Sequence, residues 1–234
     1  IVSQMSLPDL AQEFGSLIYA PLVAALLLKV LLRVLVAAKW YVIVRIRDRL
    51  LSFWRALAVH FVGGAVGTVL PMVGVDLTVG YAYYKRSMDA AAAISSVMVD
   101  RLIGAYMTIL MAAIGLALAQ ENLAAVPGLS LLTIGSVVAA LLFPFMIAVL
   151  VRFRRILVQS WMPKKMAQLL REIRIVIGDY GRRGRAMLVA NVGLSFATQF
   201  VRVLSTYALA LAVGSDPAFF DFLALVPLIF LALM

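Results

Sequence analysis

The apolar positions of this chain fall into long unbroken runs, not the alternating or one-sided patterns of a water-soluble fold. They occupy roughly residues 17–38, 103–120, 129–151, 186–213 and 222–234. A helix that crosses the hydrocarbon core needs about 20 apolar residues. The runs therefore predict spanning helices, with 103–120 marginal and 222–234 the first part of a helix. Between the first two runs lies a stretch of another kind, residues 60–104. There Gly63, Gly64, Gly67, Pro71, Gly74 and Gly80 interrupt the apolar pattern, and isolated charges stand at membrane depth. In hydrocarbon a free backbone N–H or C=O is costly, so irregular backbone survives only against protein or a wet cavity. The break at Gly67, Pro71 and Gly74 thus marks a place where something polar meets the membrane interior.

Charge placement gives the runs a sidedness. Fifteen of the 21 basic residues lie in two segments: five in 39–55 (Lys39, Arg45, Arg47, Arg49 and Arg55) and ten in 152–185. The opposite connections, 1–16, 121–128 and 214–221, hold Asp9, Glu13, Glu121, Asp216 and Asp221 and no Lys or Arg. This is the positive-inside pattern, and it predicts a multi-pass protein of the cell membrane with both basic segments cytoplasmic. The net charge of +10 then reads as topology and not as nucleic-acid binding. Parity requires residues 57–100 to leave and return to the same side. A re-entrant helical hairpin with its tip near 71–76 meets that requirement, and a pair of thin crossings is the alternative. Short, interrupted apolar segments of this sort point to a binding or transport site.

The second basic segment carries a pattern of its own. Met162, Met166, Leu169, Leu170, Ile173 and Ile177 recur at helical spacing, while Lys164, Lys165, Arg171 and Arg174 lie largely off that stripe. Pro163 suits a first helical turn and Gly178 a helix end. The prediction is a basic amphipathic helix over 163–177 on the inner membrane surface. Trp40, Trp54 and Trp161 beside the basic segments read as interfacial anchors.

Composition agrees with the runs and narrows the chemistry. Hydrophobic residues make up 65% of the 234 residues, and mean hydropathy is +1.05. The predicted fold class is all-α, a single polytopic transmembrane domain over 1–234. The start at Ile1 and the stop at Met234 within an apolar run read as a chain cut at both ends. There is no cysteine, which excludes disulfide and thiolate chemistry. No Walker-type GxxxxGK[ST] occurs, and neither a metal nor a cofactor motif is visible. His60, the one histidine, has no second ligand nearby and reads as a packed or interfacial residue.

The charges inside apolar segments are the candidate site. Lys29 and Arg33 are one helical turn apart in the first run and share a face. Snorkelling toward headgroups accounts for Arg33, whereas Lys29 lies nearer mid-span, where a charge is costly. Arg202 sits near the middle of 186–213 with Gln199 a turn earlier, so it either pairs with a carboxylate or lines a polar cavity. In the hairpin, Asp76 follows the Pro71–Gly74 break. Lys85 and Asp89 are spaced for an ion pair on one helical face. Asp100 and Arg101 are adjacent, point apart and need different partners. A purely structural pair of Asp76 with Arg101 would satisfy both charges and bind nothing.

At these residues the chain resembles the lysylphosphatidylglycerol synthase transmembrane region, also called the flippase-like domain family. The resemblance rests on Leu70-Pro71, Gly74 with Asp76, Tyr81 to Arg86, and Val99-Asp100-Arg101-Leu102 followed by Gly104; Lys39-Trp40 is similar to the family's Arg-Trp at the end of an early span. Val75 and Val79 stand where members often have Gly and Arg. The resemblance implies a flippase or transporter of a phospholipid or lipid-linked substrate, aminoacyl-phosphatidylglycerol among the headgroups. It implies substrate contacts at Asp76, Lys85, Arg86, Asp100 and Arg101; Lys29 and Arg202 join these candidates as charges at membrane depth, beside the helix break at Gly67, Pro71 and Gly74.

Two other functions compete with transport. An integral membrane transferase, or the membrane subunit of a lipid-modifying synthase, would need a nucleophile–base pair, a metal cluster or a cofactor loop; the residues supply none in recognisable form. A scaffold role would use the basic surface helix but gives no reason for the broken hairpin. The expected partner is a membrane phospholipid or lipid-linked substrate, not nucleic acid, with a second copy of the chain a further candidate.

Overall fold

The computed structural model describes residues 17–45, 48–70, 74–87, 89–120, 128–152 and 185–232. Among them the chain is all-helical: α1 (Tyr19–Arg45), α2 (Phe53–Val69), α3 (Gly74–Ser87), α4 (Ala90–Leu118), α5 (Leu129–Arg152), α6 (Arg185–Ala212) and α7 (Phe219–Ala232). Four are long and apolar enough to cross a membrane: α1, α4, α5 and α6. The chain is a multi-pass membrane protein. Pro71 and the basic amphipathic helix expected at 163–177 lie outside the described residues.

Local chemistry sets the helix ends. Ser52 caps α2, its Oγ accepting from the Arg55 N–H at 3.4 Å. Asp89 caps α4, its Oδ1 accepting from the Ala92 N–H at 3.0 Å, and the alanines that follow are the strongest helix formers. That cap starts α4 well before the apolar run at 103, so Asp100 and Arg101 lie inside a long helix. It also puts Lys85 and Asp89 in different elements, since α3 ends at Ser87. Helix α6 ends on Gly214 in the left-handed region (φ 77°). There the Ser215 N–H donates to Ala210 O at 3.1 Å and the Gly214 N–H to Leu211 O at 3.1 Å, a closure that favours glycine.

Helix α1 runs along α6, and α7 lies against α4. The first pair is antiparallel. Ile18 N–H donates to Ala212 O at one end at 2.9 Å, and Asn191 Nδ2 donates to Lys39 O toward the other at 3.0 Å. In lipid there is no hydrophobic drive between apolar helices, so close backbone approach over small residues has to hold them. Gly115 provides such an approach: a Cβ there would lie 2.3 Å from the Leu223 carbonyl carbon and oxygen in α7.

Helices α2 and α3 pack on each other on either side of 71–73. The Gly74 N–H donates to Leu70 O at 2.9 Å across the break. A Cβ on Gly74 would stand 2.9 Å from the backbone of Gly67, and one on Gly63 would meet Val75 at 3.3 Å. Glycines at these positions let the two short helices touch. A buried cluster of Trp40, Val44, Leu51, Ala56, Val79, Tyr83, Ala92 and Ala93 ties this pair to α1 and α4. Outward faces stay apolar, as at Leu27 on α1 and Leu131, Leu141 and Phe145 on α5, the surface hydrocarbon would solvate.

Candidate functional site

Helices α1, α2, α3, α4, α6 and α7 enclose one side of a cavity of about 780 Å³. Helical spacing along α1 builds one wall: Lys29, Arg33, Val36 and Lys39 follow each other at three- or four-residue steps and all line it. Helix α6 contributes Gln199, Arg202 and Thr206 at the same spacing, with Thr198 beside them, α4 contributes Asp100, Arg101 and Gly104, and α3 contributes Asp76. Five cationic side chains and two carboxylates thus face one space between apolar helices.

Both carboxylates are engaged. Arg101 Nε donates to Asp76 Oδ2 and its Nη2 to Oδ1, each at 2.8 Å. Such a fork is the strong geometry for a carboxylate. Asp100 turns the other way. Lys39 Nζ lies 3.1 Å from its Oδ1, with the two side chains only 7% and 18% exposed. The adjacent pair therefore points apart, and the Asp76–Arg101 ion pair exists.

Three cations have no such partner. Among the described residues Lys29, Arg33 and Arg202 make no ion pair. Arg202 Nη1 donates to Gln199 Oε1 at 2.7 Å, and its guanidinium carbon sits 3.7 Å above the Phe230 ring. Gln199 is itself held, its Nε2 donating to Thr108 Oγ1 at 2.6 Å, so its oxygen is presented to Arg202. Arg33 reaches across to α2, where a Cβ on Gly64 would fall 3.1 Å from its guanidinium carbon. Lys39 Nζ is equally close to the place of a Gly104 Cβ, at 3.3 Å. Two glycines thus leave room for two cations, a signal the sequence holds once α1 is known to face α2 and α4.

Of the residues the sequence singled out, Lys29, Asp76, Asp100, Arg101 and Arg202 come together here, joined by Arg33, Lys39 and His60. Lys85 and Arg86 do not line the cavity. Arg86 instead forms an ion pair with Asp48 in the α1–α2 connection, through Nε to Oδ2 and Nη2 to Oδ1. The Arg86 guanidinium beside Asp48 holds its carboxyl below the usual carboxylate range, helped by the Leu50 N–H and opposed by slight burial. Gly67 and Gly74 form the close contact of α2 with α3. His60 is 4% exposed, packs edge-on against Trp40 with centroids 5.5 Å apart, and among the described residues has no hydrogen-bond partner on either ring nitrogen. Among the described residues no group of three His, Asp or Glu could hold a metal.

The family model described as "Lysylphosphatidylglycerol synthase TM region" matches residues 1–234. No curated protein and no solved structure matches the chain.

Proposed function

The chain belongs to the lysylphosphatidylglycerol synthase TM region family, and from that premise we propose that its cavity binds the headgroup of a phospholipid or lipid-linked substrate and carries it across the membrane. Family membership supports a membrane lipid-related function. The observation that carries the finer reading is the gathering of Lys29, Arg33, Lys39, Arg101 and Arg202 with Asp76 and Asp100 around one cavity among apolar helices. Charged groups at membrane depth are costly unless they pair, stay wet or meet a charged ligand. A headgroup placed there would replace water at these groups while its acyl chains stay in lipid. Cations would hold the phosphate of that headgroup.

On this reading α2 and α3 form a re-entrant hairpin. Their 17 and 14 residues extend about 25 and 21 Å at 1.5 Å per residue, short of a hydrocarbon core of about 30 Å. The basic segments 39–55 and 152–185 would face the cytoplasm. The test is translocation of labelled phospholipid in proteoliposomes by the wild-type chain and by folded Arg202→Gln and Asp76→Asn variants. Loss of transport in the variants is expected; wild-type rates from both would remove the cavity from the mechanism.

A second reading, the membrane subunit of a lipid-modifying synthase, takes its support from membership in a family of synthase transmembrane regions. It differs in one outcome: the chain alone would bind lipid without moving it between leaflets.

A further inference from the structure

We infer that the occupant of this cavity carries a phosphate group with more than one negative charge, a terminal phosphate or diphosphate and not a phosphodiester. The inference rests on the headgroup reading above and adds the charge class of the ligand.

Charge balance is the argument. Five cationic side chains face the cavity against two carboxylates, a surplus of three positive charges. The carboxylates are already committed, Asp76 to the fork of Arg101 and Asp100 to Lys39. The surplus therefore sits on Lys29, Arg33 and Arg202, which make no ion pair among the described residues. Lys29 and Arg33 share a face of α1, and Arg202 lines the same cavity from α6. Like charges lining one cavity between apolar helices repel, and negative charge placed in that cavity relieves the repulsion.

A phosphodiester carries a single negative charge and would leave most of the surplus uncovered. A terminal phosphate carries about −1.5 to −2 at neutral pH, and a diphosphate more. The donor chemistry agrees. Two guanidinium forks and one ammonium can meet several phosphate oxygens at once, and Gln199 and Phe230 hold Arg202 in place without neutralising it. A lysyl ester would bring a further positive charge to a space whose carboxylates are taken. The same chemistry could arrive on a lipid or as a free diphosphate, and the arms of the experiment separate the two.

The experiment uses the purified chain in nanodiscs of neutral phosphatidylcholine, with labelled farnesyl diphosphate as probe and phosphatidylglycerol or inorganic diphosphate as competitor. The expected result is that farnesyl diphosphate binds at least about tenfold tighter than phosphatidylglycerol, as one additional charge-assisted contact would give. Arg202→Gln and Lys29→Met should each erase most of that preference, and Arg202→Lys should keep part of it. Should a variant not fold, the wild-type ratio decides the matter alone. Equal competition by phosphatidylglycerol overturns this inference and leaves the headgroup reading standing. Equal competition by inorganic diphosphate supports the charge class and overturns the lipid source. Binding of neither lipid overturns both.

Discussion

Arg101 holds Asp76 in a two-pronged ion pair, linking α4 to the first turn of α3 through two bonds of 2.8 Å. The carboxylate sits where the α3 dipole also favours negative charge. The side chains remain 41% and 32% exposed and line the cavity, so the pair is a structural tie that also faces the cavity.

Removing one member should therefore cost less than at a fully buried pair. Asp76→Asn or Arg101→Gln is expected to lower stability by about 1–2 kcal/mol. The double variant should cost less than the sum of the two, because neither charge is then left alone. Thermal unfolding in one detergent checks this, and strictly additive losses would contradict a direct pair.

Gly115 is where α4 and α7 come closest. Gly115→Ala puts a Cβ 2.3 Å from the Leu223 backbone, so the helices must separate, at about 1–3 kcal/mol for overpacking. Gly135→Ala on α5 meets nothing within 4 Å and should not fall measurably. The contrast between the two melting temperatures is the test.

Asp48 gives a pH dependence with a definite sign. Its carboxyl is held below the usual range chiefly by Arg86, so the contact stabilises fully above the unfolded value of about 3.9. That contribution disappears as pH falls through the lower folded value. The stability difference between wild type and Asp48→Asn should be constant from neutral pH to about pH 5 and shrink below about pH 4. A difference that grows on acidification would reverse the assignment.

His60 offers a sharper distinction. Its two unpartnered nitrogens are buried, and burying a polar group without a hydrogen bond is unfavourable. His60→Phe keeps the edge-on contact with Trp40, so stability should hold or rise by up to about 1–2 kcal/mol. A clear loss of stability would mean that the ring nitrogens make bonds in the membrane that matter to the fold.

Much of this architecture is legible in the sequence because membrane burial leaves long runs and few exceptions. The helix break around Gly67 and Gly74 is readable for the same reason: irregular backbone in an apolar stretch is conspicuous. The start of α4 is not, since Asp89 and the alanines after it signal a helix by capping and propensity, not by hydropathy. Asp100 and Arg101 can be seen to need separate partners, but the choice of Lys39 and Asp76 depends on how α1, α3 and α4 pack. Arg33 reads equally well as a snorkelling residue until α2 lies beside it with Gly64 at the contact. Lys85 and Arg86 follow Asp76 closely in sequence, yet Arg86 turns to Asp48 at the α1–α2 connection.

The most direct test of a headgroup in the cavity uses the absence of native cysteine. Thr206→Cys places one thiol on the cavity wall, a turn from Arg202. In neutral-lipid nanodiscs a charged thiol reagent should label it readily. A lipid with a phosphate headgroup should slow the labelling severalfold, and diacylglycerol with the same chains should not. A thiol that never reacts, or reacts at one rate whatever lipid is present, would contradict a headgroup-binding cavity.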